Sequence, residues 1–250
     1  MHFFVWYLKD AFANLPTTFT YNFRTCYTIR NLQFSKTMAV HKQLCLAFAL
    51  ITLLLAGQST GEEVTITNRC SGRLLVRTTG ANRGPFFLNA GGSTTLGIQR
   101  NVVPTPRIEA VLNCDGSGHN CDADGNYKSL AEFHWDPSGK TWYDVSMVDG
   151  YNLPVAISPY NPGVGPVECA TTSCNFNLNN CPDESKVWGS GNRLVACRNR
   201  NRDDGNTAYA RTMNRFCPDA YSWSKDDQRR PSPMRFSCNP GNNGLRVTFC

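Results

Sequence analysis

A mainly β fold is predicted by three features of the 250-residue sequence: an antiparallel β-sandwich, or flattened barrel, carrying a reduced disulfide-rich loop lobe. Short apolar or β-branched runs alternate with clusters of Gly, Pro, Asn and Asp, which is the pattern of many short antiparallel strands. Ten cysteines follow Glu62, and an even number reads as a disulfide framework formed in an oxidising compartment. Six of the ten fall between Cys169 and Cys238, where apolar runs are few, so 169–238 is expected to be the stapled lobe. Residues 62–168 and 239–250 are expected to make the sandwich core.

The strands follow in order. Val64–Asn68 and Leu74–Thr79 lie on either side of Cys70. Both are short and rich in branched residues. Next come Ser93–Ile98, Arg107–Leu112, Leu130–Trp135 and Trp142–Val148, with Leu245–Phe249 at the end. Turn chemistry separates them, as at Asn89-Ala90-Gly91-Gly92 and Asp122-Ala123-Asp124-Gly125. Little helix is expected, and no repeat or low-complexity segment is visible.

The leading residues read differently. Leu44 to Ala56 is a thirteen-residue apolar run, with His41 and Lys42 before it and Gly57, Ser59 and Gly61 after it. That is short of the ~20 apolar residues of a membrane span, and its order is that of a secretory signal. Residues 38–61 are therefore expected to be a signal peptide starting at Met38, and 1–37, with ten aromatics, a non-native extension. From Glu62 onward there are four Lys and sixteen Arg against twelve Asp and six Glu, a net of only +2 although the whole chain carries +6. Such a balance gives no footprint for nucleic acid. The mature form is expected to have no membrane span.

Several chemistries are absent. The ten cysteines contain no close CxxC pair, and His119 and His134 are the imidazoles that remain, so no metal is expected. P-loop, dinucleotide fingerprint and GxSxG are missing, and no cofactor is expected. No Asn-x-Ser/Thr sequon occurs. Trp135, Trp142, Tyr143, Tyr151 and Tyr160 read as core or cleft wall before they read as sugar platforms. Arg198-Asn199-Arg200-Asn201-Arg202 reads as a solvated loop, with an anion patch as the alternative.

Certain strings carry a resemblance. They are Val64-Thr65-Ile66-Thr67-Asn68-Arg69-Cys70, Leu130-Ala131-Glu132-Phe133, and the run from Tyr143 to Pro154 (YDVSMVDGYNLP). Phe216-Cys217-Pro218-Asp219-Ala220-Tyr221-Ser222 and Val247-Thr248-Phe249-Cys250 complete the set. Together they resemble thaumatin-like proteins, the pathogenesis-related thaumatin and osmotin group, from Glu62 to the last residue. With ten cysteines where larger members have sixteen, and with the loop after Cys121 and the segment Arg198–Arg211 both trimmed, the chain is similar to the small subgroup.

The resemblance implies five disulfides: Cys70–Cys250, Cys114–Cys121, Cys169–Cys238, Cys174–Cys217 and Cys181–Cys197. It also implies an acidic cleft at Arg107, Glu132, Asp144, Asp149 and Asp226, with Glu132 and Asp144 as the candidate catalytic pair. Glu132 alternates with Phe133, and Asp144 with Tyr143 and Val145, so both carboxyls face away from an inward-packing core. Carboxyls sharing one groove push at least one pKa up, giving the protonated and ionised pair that glycoside hydrolysis uses. Arg107 would hold one of them ionised and bond sugar hydroxyls.

The implied function is a secreted, monomeric defence protein, apoplastic or vacuolar, that binds β-1,3-glucan or another microbial wall component. Weak endo-β-1,3-glucanase and antifungal activity are its enzymatic extension. The alternative is a non-catalytic inhibitor of microbial glycanases such as xylanase, using the trimmed lobe.

Overall fold

The computed structural model describes residues 62–81, 83–98, 105–135, 141–160, 170–236 and 244–250. The 1–37 extension, the leader at 38–61 and the Cys169–Cys238 pairing lie outside the described residues. Strands β1 (Glu62–Asn68), β2 (Leu74–Thr78), β3 (Phe86–Leu88), β4 (Ser93–Ile98) and β5 (Arg107–Leu112) come first. They are followed by β6 (Leu130–Trp135), β7 (Thr141–Ser146), β8 (Gly150–Tyr151), β9 (Val155–Pro159) and β10 (Thr172–Cys174). The later strands are β11 (Lys186–Trp188), β12 (Leu194–Arg198), β13 (Arg235–Phe236) and β14 (Leu245–Phe249).

Two large sheets form the sandwich. One has the order β10-β9-β14-β1-β4, the other β13-β7-β6-β5-β2-β3. Strand alternation supplies the core between them: Val64 and Ile66 from β1, Ile108 and Ala110 from β5, Ala131 and Phe133 from β6, Tyr143 and Val145 from β7, and Val247 and Phe249 from β14 are all buried. Their partners in the alternation, Thr65, Thr67, Glu109 and Glu132, are only half-buried. Pairing is antiparallel except between β1 and β14, which run parallel with Asn68 opposite Phe249. That direction brings the ends of the two strands together, so Cys70 and Cys250 sit 4.9 Å apart at Cα and are bonded across 180 residues of chain.

β7 ends at Ser146, two residues earlier than the sequence suggests, for a specific reason. The Met147 N–H donates to the Tyr221 carbonyl (2.7 Å) instead of to β6, and the Tyr221 N–H donates to the Val145 carbonyl (2.8 Å). A segment of the second lobe is thereby zipped onto the end of the sandwich. The strands that sequence reading passes over are short ones or ones in Arg- and Pro-marked stretches: β8 and β13 have two residues each, and β9 follows Pro154 and ends on Pro159.

Among the described residues, the lobe has a three-stranded sheet, β11-β12-β8, and a nine-residue helix, α1 (Ala208–Phe216). Thr207 caps α1, its hydroxyl accepting from the Ala210 N–H at 2.9 Å. Tyr209, Ala210 and Met213 bury one stripe, and the Tyr209 hydroxyl donates to the Met147 carbonyl (2.7 Å), docking the helix against the exit of β7. Cys174–Cys217 ties β10 to the end of α1, Cys181–Cys197 ties a 3-10 turn to β12, and Cys114–Cys121 closes the loop after β5.

Candidate functional site

Adjacent strands β5, β6 and β7 lay three charged side chains in one row. The register sets Arg107 opposite Glu132 and Glu132 opposite Asp144. Directly opposed residues share a face, with Cβ atoms about 4.5–5.5 Å apart. Since Phe133 and Tyr143 occupy the core face, this row lies on the other side of the sheet. Burial rises along it: Arg107 is exposed, Glu132 half-buried, and Asp144 8% exposed. At the β7 end of the row stand the zipped Tyr221 segment and β13, which pairs with β7 at Trp142 and Tyr143.

The result is a groove of about 460 Å³ between the sheet face and the lobe. Besides the row, it is lined by Ser146, Asp149, Arg202, Tyr221 and Asp227. Asp149 lies beyond β7, its carboxylate 3.5 Å from the Arg202 guanidinium. Tyr221 is the aromatic of the lining and is nearly buried.

The surroundings raise both carboxyls of the central pair. Burial, and then the neighbouring Glu132 charge, hold the Asp144 carboxyl well above the usual range. Glu132 is also raised by burial, but a hydrogen bond from Ser146 and the fields of Arg107 and Arg202 oppose that, while Asp149 adds to it. The pair is thus unequal: Asp144 favours the proton and Glu132 is better equipped for the charge. Burial, followed by the charges of Asp144 and Asp227, raises the Tyr221 hydroxyl, which stays neutral.

This inequality has a consequence for stability. The folded chain holds the Asp144 proton more tightly than the unfolded chain does, so the resulting stabilisation is complete below the unfolded carboxyl value of about 4. It is lost as pH rises through the folded value. Asp144→Asn is expected to flatten that decline, so its melting temperature should overtake the wild type's as pH increases. Parallel melting curves for the two proteins against pH would show that the ionised carboxylate is compensated in the fold.

Asp226 requires a correction. It is fully buried and does not line the groove. Its Oδ2 accepts from the Ser222 N–H (2.8 Å) and hydroxyl (2.9 Å), and its Oδ1 accepts from Arg229 Nε (2.9 Å). Arg229 in turn donates to the carbonyls of Pro218 and Ala220. The 3-10 turn Asp226–Gln228 advances about a third of a turn per residue, so if Asp226 points inward its exposed neighbour Asp227 can face the groove. Asp226→Ala is expected to cost about 3 kcal/mol through the stranded Ser222 and Arg229 donors, and Asp227→Ala within about 0.5 kcal/mol. Equal melting temperatures for the two would return Asp226 to the groove.

Sequence reasoning also missed Tyr221, Asp227 and Arg202. Tyr221 stands in one of the strings that carry the resemblance, and Arg202 in the Arg-Asn alternation, so both left a trace without a role. Trp135, Tyr143 and Tyr151 are buried in the core, and Trp142 and Tyr160 are half-buried outside the groove. Among the described residues no group of three or more His, Cys, Asp or Glu is placed to hold a metal ion. Among them, too, no helix is long and apolar enough to cross a membrane.

Residues 107–250 match the profile of the Thaumatin family. A protein of Prunus avium named Glucan endo-1,3-beta-glucosidase is 34% identical over 186 residues, covering 67% of this chain and 71% of its own. Thaumatin-like protein 1 of Castanea sativa is 29% identical over 248 residues, covering 84% of this chain and 99% of its own. Among solved structures, the thaumatin-like xylanase inhibitor TLXI superposes with a TM-score of 0.37 at 16% identity, covering 75% of this chain and 98% of that one.

Proposed function

Because the chain belongs to the thaumatin family, we propose that it is a secreted defence protein whose groove binds a β-1,3-glucan chain of microbial walls and cleaves it weakly. The observation that carries this reading is the Arg107–Glu132–Asp144 row, an unequal pair of carboxyls set beside a guanidinium in a groove of ligand size. Asp144 holds the proton and delivers it to the glycosidic oxygen. Glu132, kept ionised by Arg107 and Ser146, meets the anomeric carbon or activates the water that does. Arg107 and Asp149 offer a donor and an acceptor to ring hydroxyls.

The relatives support the substrate class, since one named a glucan endo-1,3-beta-glucosidase shares 34% of residues over its match. Disulfides support an oxidising destination. With a single, nearly buried aromatic in the lining, affinity rests on hydrogen bonds more than on ring stacking. The test is retention of the pure protein on insoluble β-1,3-glucan, run beside release of reducing ends from the same polymer and beside inhibition of a fungal xylanase. Retention with slow release is the expected outcome. Xylanase inhibition without glucan retention would replace this reading with the inhibitor.

A further inference from the structure

The Arg-Asn alternation at Arg198–Arg202 acquires a structural sense in the fold. Asn199 is 7% exposed. Its side-chain amide donates to the carbonyls of Val148 (2.8 Å) and Ser222 (3.3 Å), and its backbone N–H donates to the Asp149 carbonyl (3.1 Å). Val148, Asp149 and the Tyr221–Ser224 segment are the walls of the groove. One asparagine thus fastens the loop to both of them.

Two further contacts fix the loop beyond that clamp. The Ser224 N–H donates to the Arg202 carbonyl at 2.9 Å. Trp223 packs so closely on Gly205 that a Cβ there would lie 2.7 Å from the ring. Arg202 leaves this fixed backbone with its side chain 59% exposed, lining the groove beside Asp149.

The position matters because of the charge it meets. Beside the protonated Asp144, three further carboxyls line the groove, from Glu132, Asp149 and Asp227, and Arg107 alone on the sheet side does not balance them. Without a second cation the groove would attract amines and basic peptides ahead of any neutral sugar. We propose that Arg202 is a specificity-determining residue, held on the lobe side of the groove so that the pull of the carboxyls on cationic ligands is weakened and an uncharged, polyhydroxylated chain competes better. This inference rests on the reading of the groove as a carbohydrate site. It adds a discrimination among carbohydrates: neutral glucans gain ground over their amino-sugar counterparts.

The experiment uses two probes at pH 5.5 and low ionic strength, an uncharged β-1,3-linked glucose tetramer and a fully deacetylated glucosamine tetramer, titrated calorimetrically. Each variant is scored by the ratio of its two affinities relative to that of wild type. Arg202→Gln should gain about tenfold in affinity for the cationic probe, the scale of one unit charge a few ångströms away in a partly solvated groove. It should change by less than about threefold toward the uncharged one, because a lone exposed hydrogen bond contributes little net. Arg202→Lys should restore the wild-type ratio.

Arg202→Ala, which removes the same charge without leaving an amide, should show the same gain for the cationic probe. That variant keeps the test decisive if Arg202→Gln folds poorly. Unchanged cationic affinity in Arg202→Gln and Arg202→Ala overturns the assignment of Arg202. Failure of wild type to bind the uncharged tetramer overturns the glucan reading and leaves the cationic arm to judge Arg202 by itself.

Discussion

Glu132→Gln and Asp144→Asn are each expected to lower glucan turnover by about 10²–10⁴-fold while leaving retention on insoluble glucan within a few-fold. Both amides keep the size and hydrogen-bonding reach of the acids but can neither give nor take the proton. The two should also differ in their pH profiles. Asp144 carries the higher pKa because it is the more buried and faces Glu132, so its loss removes the alkaline limb of the activity profile. Glu132 has Ser146, Arg107 and Arg202 on the side of its charged form, so its loss removes the acid limb. Release of reducing ends measured from pH 3 to 8 for wild type and both variants checks this. Undiminished turnover in both variants would falsify the pair as the reacting groups.

The second large effect concerns the frame. Replacing Cys70 and Cys250 together by Ala is expected to remove about 5 kcal/mol of stability in the chain-entropy account, because the bond closes a loop of 180 residues. For a domain of this size, that is roughly 10–20 °C in melting temperature. The double replacement avoids a stranded thiol that could pair elsewhere. The short Cys114–Cys121 ring spans 7 residues, and its removal should cost less. A melting temperature equally sensitive to both bonds would show that ring length is not what governs their contribution. Calorimetry of the two double variants is sufficient.

The contrast between β4, β5, β6 and β14, which can be bounded from the sequence alone, and the elements that cannot is physical. In those strands a buried residue alternates with a half-buried or exposed one for most of their length, as in Leu245, Val247 and Phe249 against Arg246 and Thr248. Period two is then written in the composition. β8 and β13, with two residues each, have no period to read, and they exist because β12 and β7 present free edges. Helix α1 hides for a related reason, since only Tyr209, Ala210 and Met213 along its length are buried.

The groove divides the same way. Glu132 and Asp144 are legible because a strand puts neighbours on opposite faces, so naming Phe133 and Tyr143 as core names the carboxyls as outward. Asp226 and Asp227 are adjacent in a turn whose orientation depends on Ser222 and Arg229, residues that no local pattern connects to them. Arg202 is decided by a clamp from Asn199 to segments 51 and 23 residues away.

The placement of β14 bears on how such a chain can be made. It follows every other described strand in sequence, yet it lies inside its sheet, with β9 on one edge and β1 on the other. While the chain is still emerging, β1 and β9 therefore wait with unpaired backbone edges, the state in which strands recruit the wrong neighbour. Closure of this sheet therefore waits until β14 has been made, when a five-residue segment slots between two strands laid down long before. Loss of even that short segment would leave two half-sheets with a gap, and a Cys70 with no Cys250 to close on.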